Sequence, residues 1–233
     1  MRTLYLLLVA VAFVMLGIQA QAYPNLNAST GLLAIPTAGL VAPGNVVVAV
    51  DVLSHNDTTV NGRIIIGVAP FLEIGAGFIG GEDSATGISA KLALPNKIAG
   101  FHSAVGLTII NGDAIGDGTQ VYLVGTRVLT ARDIDTGRLT GTIGINFTDI
   151  HTASAVRPFV GAQLRLGTRT EVDGEFILKT GDFSHSIHSL FVRHTINNTW
   201  SLQTGFTNAV GFTGSADNNY FVGASYAWGS DAR

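Results

Sequence analysis

Apolar and polar positions alternate along most of this chain. In RIIIGVAPFLEIGAGF, residues 63–78, Ile64, Ile66 and Val68 fall on one side of an extended backbone, and Arg63, Ile65 and Gly67 on the other. Pro70 and the run of glycine and alanine argue against a helix. Beyond a tight turn at residues 69–71, Leu72, Ile74, Ala76 and Phe78 share one face, opposite Glu73, Gly75, Gly77 and Ile79. The pattern predicts a hairpin with one oily face and one face that admits charge and glycine.

The same pattern recurs to the C-terminus. Val46, Val48, Val50 and Val52 oppose Asp51, and Ile88, Ala90, Leu92 and Leu94 oppose Lys91. Phe101, Val105, Leu107 and Ile109 share a face; Tyr122, Val124 and Val128 oppose Arg127. Leu139, Ile143, Ile145 and Phe147 oppose Arg138 and Asn146, and Val160, Leu164 and Leu166 oppose Arg157, Gln163 and Arg165. Val172, Phe176 and Leu178 oppose Glu171, Asp173, Glu175 and Lys179; Leu190, Val192 and Ile196 oppose Arg193; Trp200, Leu202 and Phe206 oppose Gln203. The last segment puts Tyr220, Val222, Ala224, Tyr226 and Trp228 on one face.

About twelve such segments of roughly ten residues each have the length of tilted strands that cross a bilayer. Short connections (69–71, 167–168, 197–198) alternate with longer polar ones (54–60, 80–85, 111–118, 149–154, 180–187, 208–218), although 95–100 and 130–136 are longer than short turns. The expectation is an all-β fold: a transmembrane antiparallel up-and-down β-barrel of about twelve strands in a bacterial outer membrane, with Tyr226 and Trp228 in an aromatic girdle. A secreted soluble β-domain would alternate too, with its charges outside and its apolar face inside.

Composition sharpens this choice. Charged residues make up 12% of the 233 residues and Gly numbers 29. Soluble domains run at about 25% charged and 7% Gly. The start, MRTLYLLLVAVAFVMLGIQAQA, has Arg2, an apolar run from Leu4 to Ile18 and a small-x-small ending, so residues 1–22 read as a signal peptide. Cys is absent, which excludes disulfides and a Cys-anchored lipoprotein. Residues 23–43 read as a periplasmic lead-in or partial plug, 44–228 as the barrel and 229–233 as a tail.

In this layout the inward face carries Asp51, Glu73, Glu171, Asp173 and Glu175 against Arg63, Lys91, Arg127, Arg138, Arg157, Arg165, Lys179 and Arg193, a basic excess. The longer connections carry Asp57, Glu82, Asp83, Asp113, Asp117, Asp149, Asp182 and Asp217 with no Lys or Arg. Two readings follow. A basic lumen favours an anionic solute or polysaccharide; alternatively, inward acids and bases pair and fill a barrel narrower than the open porins.

No cofactor fingerprint occurs, and a chain without a basic patch is not expected to bind nucleic acid. His55 with Asp57, Asp149 with His151, and Asp182 with His185 could hold a metal only if their loops met. His188 and Ser189 are the candidates for a lipid hydrolase in the barrel, without a defined nucleophile and oriented base. No enzyme activity is expected.

Alternation leaves one stretch unexplained: Thr30-Gly31-Leu32-Leu33-Ala34-Ile35-Pro36-Thr37-Ala38, followed by Pro43-Gly44. Within residues 29–50 this resembles the start of the YjbH-like outer-membrane proteins, a family associated with exopolysaccharide production or export. The resemblance implies a short single-barrel relative with no catalytic residues and an exopolysaccharide link. The expected role is a narrow channel or envelope scaffold, its partners outer-membrane lipid and an anionic solute or polysaccharide.

Overall fold

Twelve strands account for the alternating segments in the computed structural model. They are β1 (Val46–Ser54), β2 (Thr58–Ala69), β3 (Leu72–Gly80), β4 (Ala85–Ala93), β5 (His102–Gly112), β6 (Gly118–Thr130), β7 (Arg138–Ile150), β8 (Ala153–Leu166), β9 (Thr170–Ile177), β10 (Ile187–Thr195), β11 (Trp200–Val210) and β12 (Thr213–Trp228). The structure describes residues 28–29, 31–54, 58–81, 84–112, 117–130, 137–151, 153–210 and 213–229. Residues 1–22, expected to be a signal peptide, and residues 23–27, Thr30, His55, Asp57, Glu82, Asp83, Asp113 and 230–233 lie outside them.

Each strand pairs antiparallel with its chain neighbour, and β1 pairs with β12 from Val46↔Trp228 to Ser54↔Tyr220, closing a barrel. Closure removes the sheet edges, so the strands can meet lipid with their ladder groups bonded. Both barrel termini lie at one end, called here the terminal end; the opposite end is distal.

The exterior is apolar. Val68 is 51% exposed, Phe78 50%, Ile88 60%, Val160 53% and Val222 62%. The inward positions Asp51, Glu73, Lys91, Arg157, Asp173 and Arg193 are buried. A soluble β-domain needs the reverse distribution; charge inside and a continuous apolar band outside fit a barrel standing in lipid. Trp200, Tyr226 and Trp228 stack near the terminal end, with ring centroids 4.8 and 5.7 Å apart.

Three expectations need correction. On β6, Tyr122 and Val124 point inward and are buried, while Val121 and Leu123 face out at 49% and 41% exposure. Both faces of this strand's VYLV run are apolar, so alternation could not orient it. Arg127 accordingly lies outside and exposed, beside Gly100, where an added Cβ would come within 3.3 Å of its guanidinium. Lys179 falls beyond the end of β9 and is exposed. The alternation of connection lengths also fails: β7 and β8 are joined through residues 151–152 and β11 and β12 through 211–212, because the polar stretches 149–154 and 208–218 extend the strands.

Candidate functional site

The lumen is filled by residues 28–29 and 31–43. Gly31 and Pro36 form an isolated antiparallel bridge, and the Leu32 N–H donates to the Ile35 carbonyl at 3.0 Å, making a tight loop. The loop tip turns three consecutive N–H groups outward as a small anion cup. The Glu175 carboxylate fills it, accepting from Leu33 at 3.2 Å, Ala34 at 2.8 Å and Ile35 at 3.1 Å. Ser189 on β10 donates to the same carboxylate at 2.7 Å.

Glu73 anchors the two arms of the segment. It accepts from the Ser29 hydroxyl and from the Val41 N–H, each at 3.0 Å, and pairs with Lys91 at 3.0 Å. Lys91 also donates to the Thr37 carbonyl at 3.1 Å, and Thr126 accepts from the Ala38 N–H at 3.0 Å. The wall makes room with glycine: a Cβ on Gly161 would overlap Leu32 and Ile35, and one on Gly75 would overlap the Ala28 carbonyl. Leu32, Leu33 and Ile35, at 1% exposure or less, pack with Tyr122, Val124, Phe159, Phe191 and Phe221 from the wall. Burying three such side chains stabilises the insertion by roughly 2 kcal/mol each.

Beside the segment, most inward charges pair with one another. Arg63 is bonded to Asp51, whose other oxygen accepts from Gln203 at 2.7 Å. Gln203 accepts from Arg193, which meets Asp173 at 3.2 Å and Glu171 at 3.7 Å; Glu171 meets Arg165 at 2.5 Å. Arg138, the register neighbour of Arg165, is exposed on the terminal rim. With Arg127 and Lys179 outside, the inward acids Asp51, Glu73, Glu171, Asp173 and Glu175 balance Arg63, Lys91, Arg157, Arg165 and Arg193, and the expected basic excess is gone.

The distal mouth is closed differently. Residues 178–186, between β9 and β10, lean over the barrel end and bury Phe183 against Ala85, Ile110 and Ile150 on β4, β5 and β7. Arg157 stands beneath: its Nε donates to the Leu178 carbonyl at 3.3 Å, one Nη to the His185 carbonyl at 3.2 Å, and its guanidinium lies 4.2 Å from the Phe183 ring centre.

The remaining chemistry does not assemble. Ser189 points into the lumen and His188 belongs to the opposite face of β10, where its Nε2 meets Asn218 at 2.9 Å, so the two cannot act as nucleophile and base. Among the described residues no three His, Asp or Glu side chains form a metal cluster. Alternation puts Tyr122 on the lipid-facing side, and it gives Phe183, Ser29 and Gly161 no role. The available signals were faint: a lone Phe in a polar loop, and glycines on an inward face.

No family model and no curated relative matches the chain. Solved structures do. The KdgM porin is similar at 13% identity and TM-score 0.63, covering 78% of this chain and 99% of its own, and is also solved in complex with disordered oligogalacturonate. Omp33 of Acinetobacter baumannii is similar at 9% identity and TM-score 0.56, over 80% of this chain and 98% of its own. The NanC porin matches at 9% and 0.55, over 78% and 98%. At these identities the likeness is one of fold: the chain is a closed twelve-stranded barrel of the bacterial outer-membrane, porin-like type.

Proposed function

We propose that the protein is a narrow outer-membrane channel for acidic saccharide chains, held shut in this state by its own N-terminal segment. The carrying observation is that the wall does not depend on the filling. The barrel closes through β1 and β12, and the described residues 28–29 and 31–43 add no strand to it. They are held by side chains of Glu73, Lys91, Thr126 and Glu175, which can let go without opening the sheet.

The solute class is supported by two resemblances. The KdgM porin has been solved with oligogalacturonate. Most of the stretch that resembles the exopolysaccharide-associated YjbH-like family lies in the lumen here, which supports a polysaccharide as the solute.

The test is planar-bilayer recording on the full chain. The wild type should be silent or open only briefly, and a Glu73→Ala, Glu175→Ala, Phe183→Ala variant, weakened at both closures, that still shows heat-dependent gel migration should give steady steps blocked by galacturonate oligomers. A folded triple variant that conducts nothing would overturn the channel reading and leave an envelope scaffold.

A further inference from the structure

Four side chains from three strands form a polar layer under the distal seal. Gln120 on β6 donates to the Thr148 hydroxyl on β7 at 3.3 Å, that hydroxyl donates to the Asn146 side-chain Oδ1 at 3.5 Å, and Asn146 is the register partner of Arg157 on β8. All four are buried, between 0% and 3% exposed. Above them lies the apolar ring sealed by Phe183, and below them the Tyr122 and Phe159 part of the core. A neutral amide–hydroxyl ladder beside one guanidinium is costly between two apolar layers unless its groups are bonded. Yet Gln120 Oε1 has no hydrogen-bond partner among the described residues.

What occupies the Arg157 end of this layer is loop, not wall. Two backbone carbonyls, from Leu178 and His185, meet the guanidinium, and a ring lies on its face. Two oxygens presented to the fork of an arginine are the pattern of a carboxylate. Hydroxyl groups next to it would suit the Asn146, Thr148 and Gln120 amides and hydroxyl. We infer that Arg157, Asn146, Thr148 and Gln120 form a subsite for one sugar-acid unit, and that residues 178–186 are a lid which fills this subsite with its own carbonyls until a sugar carboxylate replaces them. The inference rests on the channel reading for its solute class. Because lid and sugar compete for the same guanidinium, sugar binding and lid opening are one equilibrium: ligand that binds only the open form shifts the population toward it.

The experiment uses the full chain in lipid nanodiscs. Cys is absent from the sequence, so Ser184→Cys places a single spin label on the exposed part of the lid. Trigalacturonate should raise the label's mobility in a saturable way, and a neutral trisaccharide of the same length should not. Arg157→Gln removes a charge-assisted pair, so it should raise the half-saturating concentration by about tenfold or more. Gln120→Ala leaves the lid's latch intact and should raise it by a smaller factor; this variant decides the matter if Arg157→Gln fails to fold. A label that trigalacturonate leaves unmoved, one that the neutral sugar moves equally, or half-saturation unchanged in every folded variant would overturn the subsite. Binding is read without conduction. A barrel that binds the acid but never conducts sinks the channel reading and keeps the site, whereas one that conducts on plug release but does not bind sinks only the site.

Discussion

The two ends of the lumen are closed by different physics. From the terminal end, a stretch of backbone reaches deep into the barrel and is held by buried carboxylates: Glu175 accepts from three successive amides at its tip, and Glu73 joins Ser29, Val41 and Lys91. At the distal end, one aromatic ring sits in an apolar ring of wall side chains and is latched by one arginine. The first closure recognises main chain, and adds the burial of Leu32, Leu33 and Ile35. The second recognises one side chain. Hydrogen bonds to a buried carboxylate fail together when that carboxylate is removed, since each freed amide is left in a dry site. A single buried Phe fails alone. The terminal closure is therefore the deep gate and the distal closure the light one.

Removing Glu175 should break this comparison most strongly. Glu175→Ala takes charge-assisted bonds from Leu33, Ala34 and Ile35, a local loss of about 5 kcal/mol at roughly 1.5–3 kcal/mol per bond. Hydrogen exchange at those three amides should rise at least a hundredfold while the barrel strands keep their protection. Unchanged exchange would mean that apolar packing alone holds the segment.

Phe183→Ala comes next, at about 3 kcal/mol, the low end for losing a buried Phe because a loop can close over the gap. Exchange should rise in residues 178–186 and not in 31–38. On its own this variant should leave the channel shut. Combined with Glu175→Ala it should raise open probability more than either change adds separately, as two gates in series require. Additive behaviour would show that only one of the closures controls flow.

Gly161→Ala tests the fit of the segment against the wall. The new methyl would overlap the δ-carbons of Leu32 and Ile35, which are flexible side-chain ends, so repacking should limit the cost to about 2 kcal/mol. The expected signature is brief openings in bilayer recordings with the lid unaffected. Silence equal to the wild type would mean a slack fit.

The smallest effect is expected at Arg127. It lies outside the barrel, so Arg127→Ala should change stability by no more than about 0.5 kcal/mol and leave ion selectivity unchanged. A shift in selectivity would return this residue to the lumen.

Arg127 also shows where sequence reasoning stops. On β1, β3, β8 and β9 charges or glycines alternate against branched aliphatics, and each strand can be oriented from its own residues. In the VYLV run of β6 both faces are apolar, so the local pattern is ambiguous and the choice passed to the partner. That partner is the inserted segment: Tyr122 turns inward to meet Ser29 at 3.0 Å and the core around Leu32. Phe183 was equally illegible, since nothing near it in sequence shows that it reaches strands β4, β5 and β7.

The sequence by itself determined the strands, their number and the lipid-facing side of most of them, because period-two alternation is a local property that survives without any partner. It also placed Glu73 and Glu175 on inward positions of their strands. Only the tertiary structure decided what those carboxylates hold, that the inward charges balance, and that the lumen is occupied from both ends. Those outcomes depend on contacts between residues far apart in the chain, such as Ala34 with Glu175 and Arg157 with His185, and no local period encodes such a pairing.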